Sequence, residues 1–271
     1  MTDAPGYPPG LATWDPRDLT MASDIILETH DLKKEFRGFL AVNNVSLRVR
    51  RHSIHALIGP NGAGKTTCFN LITRYLHQSA GRIWFDGHNI SHATPADLAR
   101  RGMGRSFQIS AVYPHLTVLE NVRLAVQSRH GSTFCFWRSE RTLDRFNGEA
   151  LSLIETVDLS DHASTPAAEL SYGRKRALEI AATVALDPVL LLLDEPTAGL
   201  GQEDVARITA LVRKVAVNRT VLMVEHNLSV VADLSDCITV LQRGEVLAEG
   251  SYQDISSDPA VVDAYLGAGH G

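Results

Sequence analysis

The strongest signal in this sequence of 271 residues is the stretch Gly59-Pro60-Asn61-Gly62-Ala63-Gly64-Lys65-Thr66-Thr67. It fits the pattern G-x-x-x-x-G-K-[ST], in which a glycine-rich loop cradles phosphate groups. Glycines let backbone amides approach a polyanion without a Cβ in the way, and a following helix presents the positive end of its dipole. The apolar run at residues 54–58 predicts a strand before the loop, and residues 66–76 are predicted to be helical. The segment therefore predicts nucleotide binding rather than a chance glycine-rich turn.

The loop residues have distinct chemical roles. Lys65 can reach the β- and γ-phosphates, and the Thr66 hydroxyl can join the ligand shell of Mg²⁺. We expect the rest of the phosphate site to consist of Gly59, Asn61, Gly62, Ala63, Gly64 and Thr67. The predicted cofactors are ATP and Mg²⁺.

A second motif is an apolar run at residues 189–193 that ends in Asp194 and Glu195. Successive side chains of a strand point to opposite faces, so the two carboxylates are expected to do different jobs. Asp194 suits the Mg²⁺ shell beside Thr66, and Glu195 suits polarising the attacking water. Two solvated acids at a strand end are the alternative, which is less common after five aliphatic residues downstream of a phosphate-binding loop.

Between these motifs lies Leu170-Ser171-Tyr172-Gly173-Arg174, at the start of a predicted helix. Alone, serine and glycine before a helix are ordinary capping residues. In register with the other two motifs, the stretch resembles the signature motif of ATP-binding-cassette (ABC) ATPases. In that family the signature of one subunit caps the nucleotide of the other, which implies γ-phosphate contacts for Ser171 and Gly173.

Three further residues are assigned by the same resemblance. Phe36 resembles the aromatic residue that stacks on adenine, with a core phenylalanine as the alternative. Gln108 resembles the glutamine that reaches Mg²⁺ and water, with a surface glutamine as the alternative. His226 resembles the switch histidine at the γ-phosphate, and it depends wholly on the other motifs because an isolated histidine is usually structural.

The resemblance covers about residues 24–266 and is sharpest to ATPase subunits of branched-chain amino acid importers. The segments that carry it are residues 59–65, 105–108, 116–122, 170–173 and 258–267. Similar subunits serve importers of urea, short amides and aromatic acids, and these alternatives stay open.

Two positions depart from the family pattern. Arg174 stands where the signature usually has glutamine, and it either strengthens γ-phosphate binding or faces water, which we favour. Gly201 replaces an aspartate that in this family normally bridges two subunits, so the resemblance implies that this chain lacks that contact across a dimer. Neither departure touches Lys65, Asp194 or Glu195.

The predicted fold is α/β: a P-loop, RecA-like nucleotide-binding core, an antiparallel β subdomain, and a helical insertion that carries the signature. Predicted strands lie at residues 25–28, 45–49, 54–58, 82–85, 189–193, 221–224, 238–241 and 246–249. Residues 92–184 are expected to be mostly helical, with Thr117 and Glu120 forming a capping box. We expect the ATPase domain to span residues 23–271, with the insertion at about residues 110–172 and a C-terminal helix at about residues 258–266.

Residues 1–22 are proline-rich and aperiodic, so we expect an extension without regular structure. Either the extension is natural or translation begins at Met21; both interpretations stay open.

The aromatic residues Phe134, Phe136 and Trp137 in the insertion suit either a permease contact or internal packing, which we favour. Cys68 is expected in the core.

Composition limits the class of protein. Hydrophobic residues make up 44% and charged residues 21%, as in ordinary globular chains. The net charge of −5 gives no reason to expect a nucleic-acid partner. Three distant cysteines fit neither a disulfide framework nor a zinc site, and no apolar run is long enough to cross a bilayer.

The resemblance implies two such subunits that sandwich two ATP–Mg²⁺ and drive transmembrane permease subunits, supplied by an extracytoplasmic solute-binding protein. The second ATPase is either an identical copy or a related chain, and the location is cytoplasmic, peripheral on the inner face of the plasma membrane. A soluble ATP-dependent switch is the rival class; a single cassette, the lack of a long coiled coil and the negative charge argue against it. Glu195 disfavours a non-hydrolysing scaffold.

Overall fold

The computed structural model describes residues 24–106, 112–130 and 144–266. Its strands are β1 (Ile25–Phe36), β2 (Phe39–Val45), β3 (Arg48–Arg50), β4 (Ile54–Ile58), β5 (Ala80–Phe85), β6 (His88–Asn89), β7 (Met103–Ser106), β8 (Leu190–Asp194), β9 (Thr220–Val224), β10 (Cys237–Gln242) and β11 (Glu245–Gly250). Its α-helices are α1 (Lys65–Ile72), α2 (Pro95–Arg100), α3 (Val118–Arg129), α4 (Asn147–Thr156), α5 (Tyr172–Val184), α6 (Gln202–Ala216), α7 (Leu228–Leu234), α8 (Tyr252–Ser257) and α9 (Pro259–Leu266). The predicted extension at residues 1–22, Gln108 and the aromatic residues Phe134, Phe136 and Trp137 lie outside the described residues.

The larger sheet has the strand order β11-β10-β4-β9-β8-β7, and all its pairs are parallel except β10 with β11. Strands in a sheet covered on both faces are mostly apolar and buried, as β4, β8 and β9 are. Alternate residues of β8 therefore pack into two different hydrophobic clusters, one on each face of the sheet. Leu191 and Leu193 pack with the helices α3 to α7, whereas Leu190 and Leu192 pack on the other face.

That other face is covered by α1 and by the smaller, antiparallel sheet. The smaller sheet has the order β2-β1-β5-β6, with β3 also pairing with β1. Its apolar side chains, including Leu27 and Phe85, share one cluster with Phe69 of α1. The predicted P-loop core with an antiparallel β part and added helices is confirmed. Within the described part of the chain, none of the helices combines the length and apolar character needed to cross a bilayer.

Several element boundaries differ from the prediction. The predicted strand at residues 45–49 is two strands, because β2 ends at Val45 and β3 begins at Arg48. Helix α1 ends at Ile72 rather than at residue 76, since Arg74 adopts a left-handed φ of 63° that an α-helix cannot continue. The block predicted to be mostly helical contains the short strand β7.

The start of α3 matches its prediction in atomic detail. The amide of Glu120 donates to the Thr117 hydroxyl at 3.2 Å, and the amide of Thr117 donates to the Glu120 carboxylate at 2.7 Å. This reciprocal capping box satisfies two amides that the helix itself leaves without partners. The capping box therefore sets Val118 as the first residue of α3.

Candidate active site at the carboxyl edge of the parallel sheet

Three motifs that are far apart in sequence meet at one edge of the larger sheet. Val224 of β9 pairs with Leu57 of β4 on one side and with Asp194 of β8 on the other. The segments that follow these strands therefore emerge side by side: the glycine-rich loop, Glu195, and the pair Glu225-His226. Open α/β sheets bind their ligands at this carboxyl edge.

The glycine-rich loop is held between two other strands. A Cβ atom at Gly59 would overlap the carbonyl oxygen of Leu241 on β10, and one at Gly64 would overlap that of Ala41 on β2. Both glycines also have positive φ angles, 147° and 98°. The amide of Gly244 donates to the carbonyl of Ala63 at 2.9 Å. The shape of the loop is thus fixed by its neighbours, and only glycine fits at these two positions.

Lys65 is buried and lies across the loop. Its ammonium donates to the carbonyl oxygens of Gly59 at 2.6 Å and Pro60 at 3.0 Å. Burial lowers the pKa of Lys65, and the nearby carboxylate of Glu195 acts in the opposite direction. A cation held in this position can exchange its carbonyl partners for phosphate oxygens.

The two acids after β8 have different partners, as the alternation of a strand predicts. Asp194 accepts a hydrogen bond on Oδ2 from Nη2 of the buried Arg105 at 3.0 Å. Glu195 is more exposed, and its Oε2 lies 3.8 Å from Nδ1 of His226. The backbone of Glu195 has a φ of 48°, a conformation that non-glycine residues rarely adopt.

Glu225 organises the site, although the sequence prediction did not include it. Its carboxylate is fully buried and accepts hydrogen bonds from the amide and the hydroxyl of Thr197. It also accepts from the amides of His226 at 2.7 Å and Asn227 at 3.1 Å. The carboxylate therefore ties the loop after β8 to the loop after β9. An acid directly after an apolar strand, the pattern that revealed Asp194, could have identified it.

The signature residues lie elsewhere on the same chain. Ser171 precedes α5 without using its side chain as a cap, and it is exposed. Gly173 is buried, and a Cβ there would overlap the carboxylate of Asp204 on α6. Within the described residues, no hydrogen bond or ion pair links Ser171 or Gly173 to Lys65, Glu195 or His226. Arg174 is partly buried, and Gly201 has the ordinary extended backbone that any residue can adopt.

Phe36 lies at the end of β1, opposite Phe39 of β2. Its side chain is 42% exposed, so the alternative of a core phenylalanine is wrong. The ammonium of Lys34 lies 4.9 Å from the ring centroid, and β2 of the same hairpin supports the loop through Ala41. An exposed aromatic ring at this position is available for stacking. Cys68, by contrast, is fully buried as predicted, and burial raises the pKa of its thiol to about 12.

The donor set at this edge suits Mg²⁺. Mg²⁺ prefers oxygen ligands and is usually held by one or two carboxylates together with substrate phosphates. The exposed Thr66 hydroxyl and the Asp194 carboxylate are such donors, and no described residue donates a hydrogen bond to Oδ1 of Asp194. In the described part of the chain no three His, Cys, Asp or Glu side chains form a metal-binding group. The residues present therefore fit a metal that is shared with phosphate, and not a site built from protein ligands alone.

The C-terminal helix also reaches the loop. Tyr265 of α9 packs against the core on the helical face, and its hydroxyl is buried beside the backbone of Gly59. Burial raises the pKa of this phenol. Helix α9 thus lies close to the first residue of the glycine-rich loop.

The sequence matches two family profiles. The profile of the ABC transporter family matches residues 42–198, which is more than half of the chain. A second profile, described as branched-chain amino acid ATP-binding cassette transporter, matches residues 245–271.

Two similar proteins have informative names. The chain is 39% identical to the high-affinity branched-chain amino acid transport ATP-binding protein BraF of Pseudomonas aeruginosa, covering 89% of this chain and 98% of that protein. It is 36% identical to the protein LivG of Escherichia coli K12, whose description is the same, covering 90% and 99%.

Solved structures show the same fold. The ADP conformation of MJ1267, an ATP-binding cassette of an ABC transporter, superimposes with a TM-score of 0.76 at 30% identity, covering 90% of this chain and 99% of that one. The ATP-binding cassette MJ0796, solved as a dimer in a post-hydrolysis state with ADP and Pi, gives a TM-score of 0.70 at 25% identity, covering 84% and 99%.

Proposed function

Because the chain belongs to the ABC transporter family and is an ATPase of that family, we propose that it powers the import of branched-chain amino acids. The convergence of Lys65, Glu195 and His226 at one sheet edge carries the ATP-hydrolysis part of this proposal. The names of the relatives and the C-terminal profile favour branched-chain amino acids over urea, amides or aromatic acids.

Nucleotide binding uses the loop and the β1–β2 hairpin. Phe36 stacks on the adenine ring, and Lys65 pairs with the β- and γ-phosphates. The remaining phosphate contacts come from the backbone of the loop and the start of α1, through Gly59, Asn61, Gly62, Ala63, Gly64 and Thr67. Thr66 and Asp194, with Gln108, hold Mg²⁺, which when bound neutralises phosphate charge in the transition state.

Hydrolysis uses the acid and the histidine of the same edge. The Glu195 carboxylate accepts a hydrogen bond from a water and orients its oxygen in line with the γ-phosphorus. The bond to the β–γ bridging oxygen breaks as the water oxygen bonds to phosphorus and a water proton passes to the Glu195 carboxylate, which leaves ADP and phosphate. His226 donates to a γ-phosphate oxygen, and Glu225 keeps the two loops that carry Glu195 and His226 in register.

The signature acts between subunits. Ser171 and Gly173 of one subunit close on the nucleotide of a second ATPase, either an identical copy or a related chain. Within the described part of one chain, neither residue hydrogen-bonds to Lys65, Glu195 or His226, which leaves both available for this arrangement. Closure and reopening move transmembrane permease subunits on the inner face of the membrane, where this protein is peripheral, and a solute-binding protein outside delivers the amino acid.

The test uses the variant Glu195→Gln, which is expected to keep the closed state. We would express the tagged variant at native level, solubilise membranes with ATP and Mg²⁺, and identify the proteins that co-purify. Recovery of multi-spanning permease subunits and an ATPase partner is expected, and the surface variant Glu203→Gln serves as the matched control. Recovery of soluble partners alone, such as ribosomes or repair proteins, would contradict the transport role and favour a soluble switch.

A further inference from the structure

Arg105 of β7 donates three side-chain hydrogen bonds near the site, and the nucleotide chemistry described above assigns it no role. Nη2 donates to Oδ2 of Asp194 at 3.0 Å. Nη1 donates to the side-chain oxygens of Asn70 at 2.8 Å and Thr73 at 2.7 Å. The side chain is only 7% exposed. One guanidinium thus joins three side chains from two elements.

The guanidinium is also fixed by aromatic rings. Its central carbon lies 4.7 Å from the ring centroid of Phe69 and 5.1 Å from that of Tyr75. A planar guanidinium packs on rings and bonds in a rigid fork, whereas the ammonium of a lysine can do neither in the same way. The aromatic rings on the faces of the guanidinium and the hydrogen bonds at its edge therefore hold Arg105 in one orientation.

These contacts link two elements that carry the predicted Mg²⁺ ligands. Asn70, Thr73 and Phe69 belong to α1 or its C-terminal cap, and α1 is the helix that begins with Lys65 and Thr66. Asp194 ends β8. Because Arg105 occupies Oδ2 of Asp194, Oδ1 is the oxygen left for other partners.

We propose that Arg105 is a positioning residue that locks the Asp194 carboxylate to α1, so that Asp194 and Thr66 meet Mg²⁺ in a fixed relative geometry. The inference rests on the proposed function, since it concerns the metal bound with ATP. Groups that orient metal ligands typically change metal affinity or activity 10- to 100-fold when they are removed.

The test compares full-length Arg105→Met with wild type. Methionine fills the space between the rings without charge or hydrogen bonds. We expect the Mg²⁺ concentration for half-maximal ATP hydrolysis to rise about 10- to 100-fold. Nucleotide affinity in EDTA should stay within about threefold, because the phosphate-binding loop is untouched. Arg105→Lys should recover only part of the loss, and Arg100→Met, at an exposed ion pair on α2, is the matched control.

A second variant separates positioning from simple structural support. The double variant Asn70→Ala/Thr73→Val keeps the Arg105–Asp194 pair but removes its two hydrogen bonds to α1 and the C-terminal cap of that helix, and we expect the Mg²⁺ requirement to rise in the same direction. If Arg105→Met does not fold, the Mg²⁺ requirement of this double variant alone tests the positioning role of Arg105. An unchanged or lower Mg²⁺ requirement in either folded variant, or an equal loss of nucleotide affinity in EDTA, would overturn the inference. A wild type that binds nucleotide without hydrolysing it would count against the proposed function alone; the Mg²⁺ dependence of nucleotide binding then provides the same comparison.

Discussion

The buried carboxylate of Glu225 accepts hydrogen bonds from both the backbone amide and the side-chain hydroxyl of Thr197. Two more amides, from His226 and Asn227, complete its shell. A buried carboxylate is costly without such donors, and several amides can compensate for the water that it loses. The loops that carry Glu195 and His226 thus share one anchor, although 28 residues separate Thr197 from Glu225 in sequence.

Removing this charge should disturb both stability and chemistry. Glu225→Gln replaces one acceptor oxygen with an NH₂ group that faces backbone amides, so we expect the free energy of unfolding to fall by about 2–3 kcal/mol. The hydrolysis rate should fall with it, because Glu195 and His226 lose their common anchor. Urea denaturation and phosphate release measure the two effects, with the exposed Glu203→Gln expected to stay within about 0.5 kcal/mol of wild type. Wild-type values of both would show that Glu225 does not organise the site.

Two glycines with positive φ should respond differently to alanine. At Gly59 the new Cβ would overlap the Leu241 carbonyl, so we expect Gly59→Ala to weaken nucleotide affinity at least about tenfold, since the loop must move. At Gly87, in the turn between β5 and β6, φ is 72° and no heavy atom lies within 4 Å of the Cβ position. Gly87→Ala should lose only the backbone cost of about 1–2 kcal/mol in stability and keep its nucleotide affinity. Calorimetric titration with ATP distinguishes them; equal affinities in the two variants would contradict the steric argument.

His55 should make stability depend on pH. The Thr239 hydroxyl donates to Glu249 at 2.7 Å, so His55 Nε2 must carry the hydrogen of the 2.8 Å contact with Thr239. Burial lowers the pKa of His55 from 6.5 to about 4. The unfolded chain therefore takes up a proton between pH 6.5 and 4 that the folded chain does not, and stability falls as the pH falls through this window.

The size of this effect follows from the two pKa values. Between pH 7 and pH 5 the contribution of His55 should lower the free energy of unfolding by about 2 kcal/mol. His55→Gln keeps a donor for Thr239 without titrating, so its loss over the same pH range should be smaller by that amount. Urea denaturation of both proteins at pH 7 and pH 5 gives the comparison. Identical pH dependence in the two proteins would exclude His55 as the source.

Much of the fold could be predicted because its signals are local. The apolar run of β4 and the glycines after it specify a strand and a phosphate-binding turn without reference to the rest of the chain. Strand β7 could not be found in this way, because Met103–Ser106 contains glycine, arginine and serine and has no alternating pattern. Its pairing with β8 determines its conformation. The end of α1 has no glycine or proline to mark it, since the residue that adopts the left-handed φ after the helix is Arg74.

Some residues of the candidate site could likewise be predicted from local sequence, and others could not. Lys65, Asp194 and Glu195 belong to short motifs, and the residues next to them in sequence are enough to predict their chemistry. Arg105 is 89 residues from Asp194, and nothing in its local sequence indicates an ion pair. Short motifs cannot predict contacts, such as that of Arg105 with Asp194, that form only when the sheet folds. This holds even where such a contact keeps a motif residue in place.

Direct measurement of hydrolysis by Glu195→Gln tests the central claim, that Glu195 activates water for ATP hydrolysis at this edge. ATP binding and phosphate release would be measured on the purified full chain, with Glu203→Gln as the control. We expect affinity for ATP within about threefold of wild type and turnover reduced by at least about 100-fold, the usual contribution of a general base. Hydrolysis by Glu195→Gln at the wild-type rate would contradict the assignment of Glu195 and the mechanism built on it.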